Sequence, residues 1–436
     1  MKNKFKSFFK NSLIKNIGYV FSGSVLGSGL GLINTGILVK ALGLEKNGII
    51  FLGLSYIGFF NALFNFQSYE AIIKFLPGNM TYENKKGKNY ILLGFYFDIL
   101  TAILAFCFAF LLVTPIGKYL KWNQEVIQCM RILSISILFT LTGTCTGVLR
   151  IFSKFKEIAY INIVKNLFLL VVFLIGLFLQ QSLLFYIICE LFSFFIVMLF
   201  MFFYTFKTLK ENKMCSFEIK PKFDKKFIEF AIYSNFNTVL DLPIFHLTTF
   251  IINKYVGFSE IAVYKILEKM GAVLKQVTSI ISQVIMPEIS KAISQNKNNE
   301  VYNWAFKIGI FSIFTGVLGL IFTIFTKQYW LKYFIPDYYN FISTIYLYIC
   351  YIIFTTAFVF QHPIFIYSGH VKKNTIVLIT ANTVYLILVV FLTKRIGING
   401  IIISLIIQAG IVFLMKGIIL HKYNNIKGGI KNDNKI

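Results

Sequence analysis

The sequence is short of the residues on which soluble catalytic and extracellular proteins usually depend. Among 436 residues there are seven prolines, six cysteines, four histidines and three tryptophans, and 43 Lys and Arg stand against 18 Asp and Glu. The cysteines (Cys107, Cys129, Cys145, Cys189, Cys215, Cys350) are scattered, mostly inside apolar runs, which fits neither a disulfide framework nor a metal-ligand spacing. His246, His362, His370 and His421 are equally dispersed, and each reads as a local hydrogen-bonding residue. A phosphate-binding glycine loop ending in Lys-Ser/Thr is missing, so nothing predicts ATP-driven transport. No nucleophile elbow or paired-carboxylate motif stands out, and the polar loops are too short for a soluble catalytic domain. The chain therefore reads as a non-enzyme without metal or cofactor, leaving H+ or Na+ as a coupling ion.

What the sequence has instead is hydrocarbon. Apolar residues make up 57%, fifty residues are Phe, and the mean hydropathy is +0.72, which excludes disorder and an ordinary soluble fold. The apolar runs are about twenty residues long, as membrane helices require, whereas barrel strands alternate over about ten. The predicted class is an all-α integral membrane protein.

Twelve spans are expected, at 16–39, 48–77, 90–113, 126–149, 158–179, 183–206, 227–256, 259–285, 303–325, 341–367, 375–392 and 398–419. Basic residues gather in alternate polar gaps, which assigns the +25 net charge to membrane topology and not to nucleic acid. An even span count puts both termini on one side, and the Lys and Arg excess there makes it cytoplasmic. The basic N-terminus lacks a small-residue cleavage site before further spans, so it reads as an uncleaved first helix. The longest polar stretch, 207–226, holds seven lysines and is expected to link an N-terminal six-helix bundle (1–206) to a C-terminal one (227–436).

The stretch 48–77 carries most information. It opens as a bilayer span and continues through Gln67, Ser68, Glu70 and Lys74 with no Gly or Pro to stop it, predicting one rod. At ~1.5 Å per residue it would measure about 43 Å. Gly58, Asn61, Asn65 and Ser68 would share one stripe, facing a cavity or packed against another helix. A repeat is also visible. ILVKALGLEKNGI and IINKYVGFSEIAV align Lys40 with Lys254 and Gly43 with Gly257 at an offset of 214 residues, suggesting two parallel halves.

Ionisable residues at membrane depth are Glu70, Lys74, Asp98, Arg131, Lys165, Glu190, Asp241, Lys265, Glu268, Lys269 and Lys275, with Lys74 and Glu190 read as snorkelling. Lys265, Glu268, Lys275, Ser279 and Ser282 recur at helical spacing, flanked by Lys269 and Gln283. That face predicts either the border of a net-positive aqueous cavity suited to an anion such as phosphate, or a structural network pairing the lysines with Glu268 or Glu70.

LVKALGLEKNGIIFLGLSYIGFFN, FNFQSYEAIIKF and INKYVGFSEIAVYKILEKMGAVLKQVTSIISQVIMPEIS resemble the polysaccharide, or O-antigen-type, flippases (Wzx-like) of the multidrug/oligosaccharidyl-lipid/polysaccharide exporter superfamily. The resemblance implies two six-helix bundles around a central cavity. It also implies movement of an undecaprenyl-pyrophosphate-linked glycan (an O-antigen or capsule repeat unit) across a bacterial inner membrane by alternating access. Implied partners are that lipid-linked glycan, the bilayer and polysaccharide polymerase machinery, with a monomeric chain and no nucleic acid. Arg131, Lys265, Lys269 and Lys275, with Asn61 and Asn65, would bind substrate. Glu70, Asp98, Asp241 and Glu268 would balance those charges or bind the coupling cation. Where many relatives have an acid about ten residues before the glycine matching Gly257, this chain has His246 and Leu247. Rival readings are a cation-coupled multidrug antiporter of the same superfamily and a membrane glycan polymerase or ligase.

Overall fold

The computed structural model describes residues 2–77, 85–214, 222–273, 275 and 298–433, with side chains chiefly between 23 and 422. Among the described residues there is no strand. The helices are α1 (Lys2–Phe64), α2 (Ser68–Phe75), α3 (Lys85–Leu120), α4 (Gln124–Ile135), α5 (Gly143–Ile151), α6 (Phe155–Phe178), α7 (Leu183–Glu211), α8 (Lys225–Leu242) and α9 (Thr248–Tyr255). After them come α10 (258–273), α11 (Asn298–Phe334), α12 (Ile342–Ala357), α13 (Gln361–Tyr367), α14 (Val371–Ile396) and α15 (Ile398–Asp433).

Nine helical segments among the described residues are long and apolar enough to cross a bilayer, which makes this a multi-pass membrane protein. The nine reconcile with the twelve expected spans. The first two run together as α1, bent at Gly43, whose φ of 74° and ψ of 177° a residue with a Cβ rarely adopts. The seventh is interrupted at Pro243 between α8 and α9, and the described part of the eighth, α10, is shorter than a crossing.

Four expected continuous helices are broken. The rod predicted for 48–77 stops at Phe64, and α2 starts afresh at Ser68 after Gln67 takes a left-handed conformation (φ 51°). Asn, Gln and Ser offer the backbone competing hydrogen bonds, and neighbouring helices reward the break. The span 126–149 divides at a 3₁₀ turn (Ser136–Phe139) and an irregular stretch before Gly143. In 227–256, Pro243 lacks an amide for the helical ladder, and the backbone widens into a π turn over Pro243–Leu247. The span 341–367 divides between α12 and α13.

Contacts divide the chain into two compact units, Met1–Lys265 and Ile266–Ile436. Unit 1 therefore holds α8 and α9, which the linker expectation groups with the second bundle. Within it, α1 packs on α6 through Gly23, Gly27 and Gly31, which face Ala159, Asn162 and Asn166. A Cβ at Gly23 would sit 2.9 Å from Ala159 Cα, so small residues let these backbones close together. Ile72, Tyr90, Val148, Leu209 and Phe227 form a buried cluster joining α2, α3, α5, α7 and α8. Tyr90 stacks on Phe227 with centroids 5.5 Å apart.

Candidate functional site

The broken helices of unit 1 meet. Asp98, 6% exposed and in the middle of α3, accepts from Ser68 Oγ at the first residue of α2 and from the Thr144 amide, 2.8 Å away in the first turn of α5. One carboxylate thus caps α5 at an amide that has no ladder partner and ties the first side chain of α2 to it. Gly143 is needed there: a Cβ would lie 3.0 Å from Asp98 Oδ1 and would collide with Ser68 Oγ.

Helix α8 completes the break in α1. Asn235 Nδ2 donates to the Leu63 carbonyl (3.1 Å), Thr238 Oγ1 accepts from Gln67 Nε2 (3.1 Å), and Ser234 Oγ donates to Glu70. Tyr69 Oη also donates to Glu70, at 2.9 Å. Non-helical backbone at membrane depth is tolerated where protein or a wet cavity satisfies it, and here side chains of α3 and α8 do so.

The substrate-binding candidates fall in different places. Asn61 Oδ1 accepts from Thr140 Oγ1 (3.1 Å), linking the two helix breaks, and Asn65 is the first residue beyond α1, its carbonyl accepting from the Gln67 amide (2.8 Å). The stripe Gly58–Asn61–Asn65–Ser68 therefore does not continue along one rod. Gly58 instead makes room for the His246 ring. Arg131 is exposed on α4, where Nη2 donates to Thr114 Oγ1 at 3.0 Å. Lys265 is half-buried and donates to the Phe245 carbonyl in the π turn, at 3.4 Å. Asp241 and His246 line a small cavity of about 230 Å³ with Ala62, Thr238 and Phe245.

Unit 2 holds the rest of the predicted stripe. Lys275 Nζ lies 4.9 Å from the Tyr351 ring centre. Glu268 is within electrostatic reach of Lys275 and of Tyr348 and Tyr351 on α12. Lys269 is half-buried on the same helix. Ser279, Ser282 and Gln283 lie outside the described residues. Elsewhere, Lys165 sits 4.6 Å from the Phe194 ring, Glu190 is buried, and Lys74 lies over Phe230 at 3.6 Å. Among the described residues no group of three or more His, Cys, Asp or Glu is arranged to hold a metal.

Sequence reasoning missed Ser68, Thr144 and Ser234 as partners of the acids. A signal existed in the run TLTGTCTG over 140–147, too rich in Thr and Gly for a plain span. It also missed Lys416, 3% exposed within α15, whose Nζ lies 3.0 Å from His362 Nδ1.

The family model described as "Polysaccharide biosynthesis protein" matches residues 13–293. Among solved structures, an inward-facing multidrug resistance MATE family transporter of the MOP superfamily is similar at 12% identity and a TM-score of 0.77. That match covers 91% of this chain and 96% of that one. The lipid II flippase MurJ, in an inward closed conformation, is similar at 17% identity and TM-score 0.70, covering 92% and 87%. The eukaryotic MATE transporter AtDTX14 is similar at 12% and 0.59, covering 94% and 96%. No curated protein matches the sequence.

Proposed function

From the premise that this chain belongs to the polysaccharide biosynthesis protein family, whose model covers residues 13–293, we propose that it is a flippase for a lipid-linked oligosaccharide. The substrate is an undecaprenyl-pyrophosphate-linked repeat unit of an O-antigen or capsule, carried across a bacterial inner membrane by alternating access. Both chain termini are cytoplasmic in this proposal. The family match is the observation that carries the reading. The transporter fold is shared with drug exporters and with a lipid II flippase, so fold alone supports transport without choosing the cargo.

In this proposal Arg131, Lys265, Lys269 and Lys275 attract the pyrophosphate or acidic sugars, and Asn61 and Asn65 offer neutral hydrogen bonds. Glu70, Asp98, Asp241 and Glu268 balance the charge, one of them with the coupling H+ or Na+. Helix breaks with polar linings are where secondary transporters place such groups, which supports Asp98 and Glu70 in particular. The second reading, a cation-coupled multidrug antiporter, is favoured by the likeness to the MATE structures.

Deleting the gene separates the two. Loss of surface polysaccharide with complete lipid-linked units accumulating in the cytoplasmic leaflet is the expected result. Normal polysaccharide with new sensitivity to cationic drugs would transfer the assignment to the antiporter.

A further inference from the structure

Unit 2 contains an apolar slot of about 680 Å³ bordered by α11, α12, α13 and α15, within the size range of sites that enclose a small ligand. Phe306 and Ile313 of α11 face Phe413 and Gly417 of α15 across it, and Gln361 and His421 supply polar atoms to its wall. Nothing lining it is acidic. Gln361 is already held, donating to the Phe413 carbonyl at 2.8 Å.

Its polar end is basic. His421 lines the slot and is followed by Lys422, the last residue of that span. An apolar slot of this kind with basic groups at one end complements a molecule with a hydrocarbon chain and an anionic head.

We propose that this slot binds the polyprenyl phosphate portion of the substrate, with one isoprenoid chain between α11 and α15 and its phosphate at the mouth, by His421 and the adjacent Lys422. The slot lies within one unit and has one basic end, which suits a single-chained lipid. A phospholipid would leave its second chain outside. The assignment rests on the flippase reading for the identity of the lipid. If the chain's termini are cytoplasmic, the slot opens on the leaflet where the cargo is made, so it holds the tail while the glycan crosses.

The test measures binding and not transport, so its failure leaves the flippase reading to the gene deletion. Full-length protein purified in detergent is titrated with undecaprenyl phosphate, scored by native mass spectrometry, with phosphatidylglycerol as competitor. The slot is then narrowed by Gly417→Leu. A Cβ there meets Gln361 Nε2 at 3.6 Å, an ordinary contact, so the added side chain fills the slot without displacing backbone. His421→Ala removes an imidazole from the mouth as a second, independent variant. The expected result is one bound undecaprenyl phosphate per chain that phosphatidylglycerol does not displace, with affinity at least tenfold lower in Gly417→Leu and several-fold lower in His421→Ala. Unliganded melting temperatures should be unchanged in both. Absence of binding, equal competition by phosphatidylglycerol, or undiminished binding in both folded variants would overturn the proposal.

Discussion

Asp98→Ala is the substitution that most directly probes how unit 1 is held together. The carboxylate is 6% exposed and receives the Ser68 hydroxyl and the Thr144 amide, so truncation leaves two buried donors without that acceptor. Each stranded donor costs about 1–3 kcal/mol, which makes the expected loss about 2–6 kcal/mol. Asp98→Asn keeps one carbonyl oxygen but turns an NH₂ group toward the other donor, so its loss is about half as large, roughly 1–3 kcal/mol. Ser68→Ala removes a hydroxyl together with its bond and should cost only about 1 kcal/mol. Reversible unfolding in mixed micelles should then rank the proteins as unaltered, Ser68→Ala, Asp98→Asn and Asp98→Ala, from most to least stable. In the double variant Ser68→Ala/Asp98→Ala the losses should sum to less than their separate values, because the second change removes a donor already stranded. A fully additive double variant, or an Asp98→Ala protein as stable as the parent, would refute this joint role of Asp98. Transport measured on the same proteins separates the roles of charge and cap. If the charge binds the coupling ion, Asp98→Asn loses transport well beyond what its stability explains.

Two further outcomes follow from the backbone. Gly48→Leu should lower yield and stability by about 1–3 kcal/mol by overpacking, since any Cβ there overlaps the Phe258 carbonyl; size-exclusion profile and melting temperature report it, and an unperturbed protein would show that α1 and α10 do not meet at this point. Lys121→Gly should raise the melting temperature by relieving about 1 kcal/mol, because Lys121 is left-handed (φ 60°) at the end of α3 while the Trp122 amide closes back on the Gly117 carbonyl at 2.8 Å; an unchanged or lower melting temperature counts against that cap.

Most of the architecture could be read from hydropathy because the bilayer imposes a length and an apolar composition on each crossing. The bend at Gly43 falls in the gap 40–47 left between the first two expected spans. The internal breaks were not. Helix-stop rules look for Gly and Pro, whereas 65–67 unwinds at Asn, Phe and Gln because α8 and α3 supply the hydrogen bonds, and those partners are distant in sequence. For the same reason Asp98 was legible as a buried acid but not as the cap of α5 and the partner of Ser68. The stripe on α10 illustrates a different limit. Spacing places Lys265 and Glu268 on one face, yet the helix passes from one compact unit into the other between them, and sequence periodicity carries no sign of that division. Lys416 escaped because a single lysine six residues from a span's end reads as a snorkelling side chain, until its bond to His362 is seen.

Asp98 also has an electrical meaning. It sits 13 residues into the 36-residue α3, well inside the membrane and far from either end of the helix. A unit charge crossing the whole membrane gains or loses about 2.3 kcal/mol per 100 mV, so one held part-way across carries a fraction of that. Any rearrangement that slides α3 along the membrane normal while the carboxylate is ionised must do work against the cell's potential, and protonating or pairing that carboxylate removes the work. The group that joins two broken helices would then also be the point where membrane voltage acts on their movement.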